Sequence, residues 1–177
     1  MIPYQNFGTY QQLFYLVFNW QSGECLFDHW NFDFYATHPE IESPQQKIKA
    51  LSLKKKQKIA NQLIDFLVFV EAQNYVAVDF YDGSLLYDFI TDKLTICDID
   101  LIQKKPFCNM KGFDYWGSKR FKAPEENQFI PLTQSAIGLN NDAYQTLLRA
   151  VAKEPKQRYL SIADFKKAWS SSFNHSN

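Results

Sequence analysis

The chain has 177 residues, 46% hydrophobic and 17% aromatic, with a formal net charge of +0 and a pI of about 6.8. This composition excludes a disordered chain, and the charge balance excludes bulk electrostatic attraction to nucleic acid or an anionic membrane. Cys25, Cys97 and Cys108 form no CxxC pair, so neither a zinc site nor a disulfide framework is indicated.

In chain order, no basic segment followed by an apolar run opens the sequence. The longest apolar run, Leu13–Phe18, is too short to span a membrane. A cytoplasmic setting is expected. Gln12–Trp20 is aromatic and aliphatic without helical period and predicts a strand. Gln21–Glu24 reads as a turn, Cys25–Trp30 as a second short strand, and Asn31–Pro44 as a loop punctuated by two prolines. Ser43-Pro44 is a helix start, because Ser caps and Pro fits the first turn; the helix runs to about Ala50. A long helix follows from Leu53 to Gln73, capped by Ser52, with Ile59, Leu63, Phe66, Leu67 and Val70 at helical spacing. Lys54, Lys55, Lys56 and Lys58 in its first turns read as a solvated face, with a docking patch for an acidic partner as the alternative.

After Asn74 the pattern changes to strand, and Ser84–Phe89 and Lys93–Cys97 flank a predicted hairpin. Leu101–Lys122 has no sustained period and reads as one long loop. Helices are expected at Asp142–Lys153, burying Tyr144, Leu147, Leu148 and Val151, and at Ile162–Trp169, capped by Ser161 with Asp164 in capping-box position.

The stretch AVDFYDGSLLYDFITDKLTICDID, Ala77 to Asp100, carries six aspartates. Asp is a poor strand former, and neighbouring carboxylates repel. Either this is a solvated hairpin face or the acids hold a metal ion or take a proton. His29, His38 and His175 have no Ser or Cys nucleophile at recognisable spacing, so no hydrolase triad is readable. A metal-dependent hydrolase cluster stays open as a reading of the acids alone.

Order and spacing of these acids carry a resemblance. Asp79 and Asp98 lie 19 residues apart; Ala123-Pro124-Glu125 begins 25 residues further on, and KEPKQRYLSIADF stands near the end. This arrangement resembles the C-terminal lobe of eukaryotic-like serine/threonine protein kinases of bacteria, with AVD, DID and APE at the positions of the family's His-Arg-Asp, Asp-Phe-Gly and Ala-Pro-Glu. The implied fold is α+β: a mainly helical kinase-like C-terminal lobe (31–177) with a short β-hairpin, preceded by a hinge-side strand pair (1–30). The implied activity is ATP- and Mg²⁺-dependent phosphoryl transfer, with ATP and a protein substrate as partners and no role for nucleic acid or membrane.

On that resemblance Asp79 is the catalytic base, and Asp98 holds Mg²⁺ bridging the phosphates. Phe18, Asn19 and Trp20 form the hinge beside adenine. Ser84 stands where an Asn binds a second metal, a weaker donor for a hard cation, with Asp82 or Asp100 as possible supplements; the alternative for these acids is a structural ion pair, cap or solvated loop. Asp100 replaces the usual glycine. Val78 replaces the arginine that pairs with an activation-loop phosphate, so switching by phosphorylation is not expected, and Tyr115 and Ser118 are structural or substrate-facing. Glu125 and Arg158 correspond to the family's buried ion pair, a fold marker.

The pattern departs from the family in two places. Only about eleven residues precede the first resembling strand, no GxGxxG can be formed from the six glycines, and no VAIK-like lysine is present. The central helix expected after Glu125 is missing as well. The expectation is a shortened phosphotransferase that is weak or inactive unless another chain supplies the missing lobe, or a catalytically dead interaction module.

Overall fold

The computed structural model describes residues 4–99, 101–108, 110 and 138–174. Asp100, Tyr115, Ser118, Ala123–Glu125 and His175 lie outside the described residues, as does most of the predicted loop before Lys122. The chain divides into two compact units, Met1–Leu51 with Phe80–Leu101, and Ser52–Asp79 with Ile102–Asn177.

The first unit opens with an antiparallel hairpin, β1 (Tyr4–Tyr10) and β2 (Leu13–Phe18). Gln11 and Gln12 both take positive φ, 48° and 67°, so the two-residue connection has the backbone signs of a type I′ turn, whose twist matches the strands. The expected partner of Leu13–Phe18 was Cys25–Trp30. Instead β1 is the partner, with Tyr10 opposite Leu13 and an irregularity in register between Tyr4 and Asn6. Of the predicted second strand only β3 (Glu24–Cys25) forms. The chain then enters a 3₁₀ turn at Asp28–Asn31 and helix α1 at Phe32–Thr37, inside the predicted loop. No Gly or Pro interrupts that segment, Asp33 sits in its first turn, where a carboxylate complements the helix dipole, and Thr37 Oγ1 donates back to Asp33 O at 2.8 Å.

Helix α2 is Pro44–Ala50, as predicted, closed by a capping box between Ser43 and Gln46. The predicted hairpin also forms, as β5 (Leu85–Asp88) and β6 (Lys93–Ile96), and β3 adds to it in the order β3–β5–β6. Leu85 opposes Ile96 and Tyr87 opposes Leu94. These four, with Leu26 and Pro44, are buried among the described residues of this unit.

In the second unit α3 (Leu53–Ala72) starts on Ser52, whose side chain accepts from Lys55 N, and ends with Asn74 in the left-handed region. Strand β4 (Tyr75–Ala77) pairs with β7 (Ile102–Lys104), three residues of the predicted loop. Helices α4 (Asn141–Ala150) and α5 (Ile162–Ser171) follow. Ile64, Ala143 and Trp169 form the buried cluster, with Leu147, Phe165 and Phe173 packed against it. Trp169 Nε1 donates to Asn61 Oδ1 at 2.8 Å, which satisfies the indole N–H in an apolar setting. Ser161 caps α5, accepting from Asp164 N and donating to its carboxylate. Glu71 adds a second cap, accepting from Ile162 N at 2.9 Å.

Candidate functional site

In the first unit the β5–β6 hairpin positions Ser84 and Asp98 at its open end. Cys97 N donates to Ser84 O at 2.9 Å, extending the ladder one pair beyond Leu85 and Ile96. Asp98 follows directly and is exposed, with φ +49°. Few non-glycine residues adopt this conformation, and holding it costs about 1 kcal/mol or more. Regular pairing stops there, so the carboxylate leaves the hairpin at a sharp backbone turn.

Ser84 differs in kind. It is 0% exposed, enclosed in the short turn Asp82–Ser84 that enters β5. Asp82 in the same turn is also buried and accepts from Gln45 Nε2 at 3.1 Å. Gln45 N donates to Asp28 Oδ1 at 3.1 Å, and Ser43 Oγ donates to Asp28 Oδ2. Asp28, Ser43, Gln45 and Asp82 thus form one polar network joining α2 to the hairpin. The sequence signalled the Ser43 cap but not Gln45, whose partner lies 37 residues away.

The hinge-side residues follow β2. Phe18 and Trp20 are exposed, Trp20 at 94%. Asn19 Oδ1 accepts from Gln5 Nε2. The Gln21 amide donates to the carbonyls of Asn19 and Trp20, at 3.3 and 3.2 Å, and its own oxygen accepts from Lys93 Nζ at 2.9 Å. Gln21 therefore fixes the course of the backbone after β2.

Two thiols sit beside this hairpin. Burial pushes the Cys25 thiol up, and the nearby Asp82, Asp28 and Asp98 carboxylates act in the same direction. Burial also raises Cys97, helped by Cys25 and Asp98.

In the second unit Asp79 stands half-buried in the turn after β4. Arg158 follows the 3₁₀ turn Pro155–Gln157; its Nε donates to Ala152 O at 2.7 Å. Arg158 also lines a cavity of about 260 Å³ with Glu71, Tyr159 and Phe165. Its predicted partner Glu125 lies outside the described residues.

The donor set bears on which metal fits. Among the described residues no group of three or more His, Cys, Asp or Glu side chains gathers as a metal cage. Mg²⁺ does not need one: it keeps several waters and takes one or two carboxylates together with substrate phosphates. An exposed Asp98 suits an ion that arrives with a phosphate ligand. Ser84 would reach such an ion only if the turn before β5 opened.

No protein-family model matches the sequence. No curated protein matches it. Among solved structures, Rad53 residues 1–466 in complex with AMP-PNP is similar, at 14% sequence identity and a TM-score of 0.58. The match covers 95% of this chain and 49% of that one, so this chain spans about half the length of the protein it resembles. At that identity the likeness speaks to fold, and the fold is protein-kinase-like. No helix among the described residues is long and apolar enough to cross a membrane.

Proposed function

We propose that this chain is a protein-kinase-like phosphotransferase, binding ATP with Mg²⁺ and acting on a protein hydroxyl. The carrying observation is Asp98: an exposed carboxylate in a left-handed backbone conformation, immediately beyond a buried hairpin, in a chain of kinase-like fold. Strained backbone of this kind clusters at functional sites. The AMP-PNP held by Rad53 residues 1–466 supports a nucleotide as ligand.

In this reading residues 1–30 provide the hinge-side strands and 31–177 the C-terminal-lobe elements. Phe18, Asn19 and Trp20 lie beside the adenine. Asp98 holds the metal, with Asp100 beside it in sequence. When bound, Mg²⁺ neutralises charge on the transferring phosphoryl group. Asp79 orients the accepting hydroxyl and takes its proton as the oxygen attacks. A Gly-rich phosphate loop and its lysine are not among these residues. Preorganised charge is the dominant part of this catalysis, so turnover by the chain alone is expected to be low. A nucleotide-binding module without turnover is the second reading, favoured by the enclosure of Ser84.

Thermal unfolding with ATP, with Mg²⁺ and with both tests the proposal. Ligand at a hundred times its dissociation constant adds about 2.7 kcal/mol of apparent stability. A shift is expected only with ATP and Mg²⁺ together, and is expected to vanish in Asp98→Ala. A folded chain with no ATP shift would overturn the nucleotide site. A shift with metal alone would favour the hydrolase-type acid cluster instead. Asp79→Asn separates the two nucleotide readings: it should keep the shift while abolishing any phosphoryl transfer.

A further inference from the structure

Asp98 takes its position from the backbone just before it. The Cys97 amide donates to Ser84 O at 2.9 Å, and Asp98 follows in the left-handed region. Where Ser84 sits therefore decides where the Asp98 carboxylate leaves the hairpin. A residue in such a conformation keeps it only while its surroundings hold it there.

Ser84 is held by a tight turn built around a buried carboxylate. Its amide donates to Tyr81 O at 3.0 Å. The Tyr81 ring lies over Gly83 so closely that a Cβ there would meet it at 2.6 Å. Phe27 packs edge-on against the same ring, with centroids 5.4 Å apart. Asp82 is 9% exposed, and a carboxylate taken out of water keeps its place through the donors that reach it.

Gln45 is such a donor, and it is anchored from the other side. It is the second residue of α2, after the Ser43 cap and Pro44, so its backbone N–H has no partner within the helix. That N–H donates to Asp28 Oδ1 at 3.1 Å, and the side-chain amide donates to Asp82 Oδ2 at 3.1 Å. Asp28 Oδ2 accepts from Ser43 Oγ. The start of α2 is thus tied to the turn that enters β5, and all of these residues belong to one compact unit.

We infer that Gln45 is a positioning residue for metal binding at Asp98. Its amide fixes Asp82, the Asp82–Ser84 turn fixes the Cys97 amide, and that pair sets the backbone from which Asp98 meets a phosphate-bound Mg²⁺. The inference rests on the ATP and Mg²⁺ reading of this site. Groups behind a metal ligand orient it, and losing one typically weakens metal affinity about 10–100-fold.

The test follows the anisotropy of a fluorescent ATP analogue on the full 177-residue chain as Mg²⁺ is raised, at a temperature where circular dichroism shows each variant folded. Gln45→Met keeps the length of the side chain and removes its amide. It should raise the Mg²⁺ midpoint about tenfold or more and still reach the same plateau, whereas general loss of structure would lower the plateau. Hydrogen exchange at the Cys97 amide, read without any ligand, should quicken in the same variant, while exchange at the buried Thr95 inside β6 keeps its rate. Gln45→Asn retains an amide but stops one carbon short of Asp82. It should shift the midpoint in the same direction, and it carries the test if Gln45→Met does not fold. An unmoved midpoint in a folded variant would overturn the inference and leave the nucleotide site standing. A lower midpoint would overturn it as well, because the closed turn would then be withholding Ser84 from the metal. If the unmodified chain binds no nucleotide at any Mg²⁺ concentration, the proposed function fails and this assignment falls with it.

Discussion

Cys25 and Cys97 flank the hairpin end that carries Asp98, and burial raises both thiols. At neutral pH little thiolate forms at either, and the thiolate is the reactive species. Cys108 is exposed. A thiol-reactive disulfide reagent should therefore label Cys108 first and the half-buried Cys25 and Cys97 more slowly; equal rates at all three would contradict the protection at the hairpin end. The linkage has a definite sign. A thiol with a raised folded pKa contributes fully below its unfolded pKa, about 8.5, and that contribution is lost as pH rises through the folded value. Stability should accordingly fall on the alkaline side, and Cys97→Ser should flatten that fall. Asp88 behaves oppositely. Hydrogen bonds from the Thr91 side chain and the Ile90 and Thr91 amides hold its carboxyl below the usual range. What it contributes to the hairpin turn is present above the unfolded pKa of about 3.9 and lost as pH falls through the folded value.

At the scale of elements, the caps give a graded comparison. Ser52 caps α3 and is exposed. Ser43 caps α2, completes a capping box, is buried, and also donates to Asp28. Removing a Ser cap costs roughly 1 kcal/mol, and the half-buried Asp28 carboxylate loses a hydrogen bond as well, adding about 1 kcal/mol. In urea denaturation Ser43→Ala should cost more than Ser52→Ala. Equal losses would mean that the Asp28 network contributes nothing to stability. These caps were legible because each depends on a few adjacent residues. Helix α1 was not, since Phe32–Thr37 is too short for its periodicity to stand out ahead of Pro39 and Pro44.

For the molecule as a whole, each unit has its own core, and the second depends on one large side chain. Trp169 is 4% exposed at the centre of the Ile64–Ala143 cluster and also satisfies Asn61. Trp169→Ala should cost about 3–5 kcal/mol and unfold α3, α4 and α5 together, read by far-UV circular dichroism on denaturation. A loss below about 1 kcal/mol would place the core elsewhere. In the first unit the buried hairpin residues Leu85, Tyr87, Leu94 and Ile96 hold the backbone up to Asp98 in place.

By itself the sequence determined the features that depend on neighbours along the chain. Gln12–Trp20 reads as a strand from its continuous apolar run, Leu53–Gln73 as a long amphipathic helix from its helical spacing, and Ser84–Phe89 with Lys93–Cys97 as a hairpin, because each signal lies in residues adjacent along the chain. The order of Asp79 and Asp98 pointed toward a kinase-like fold for the same reason, as a pattern along one line. Tertiary structure decided what depends on residues far apart. It gave β2 a partner in Tyr4–Tyr10, joined Glu24–Cys25 to β5, and paired Ile102–Lys104 with β4. It also enclosed Ser84 while leaving Asp98 exposed, a difference in burial between two polar residues at the same hairpin end. Strand pairing and burial are set by which distant surfaces meet, and no local period records that.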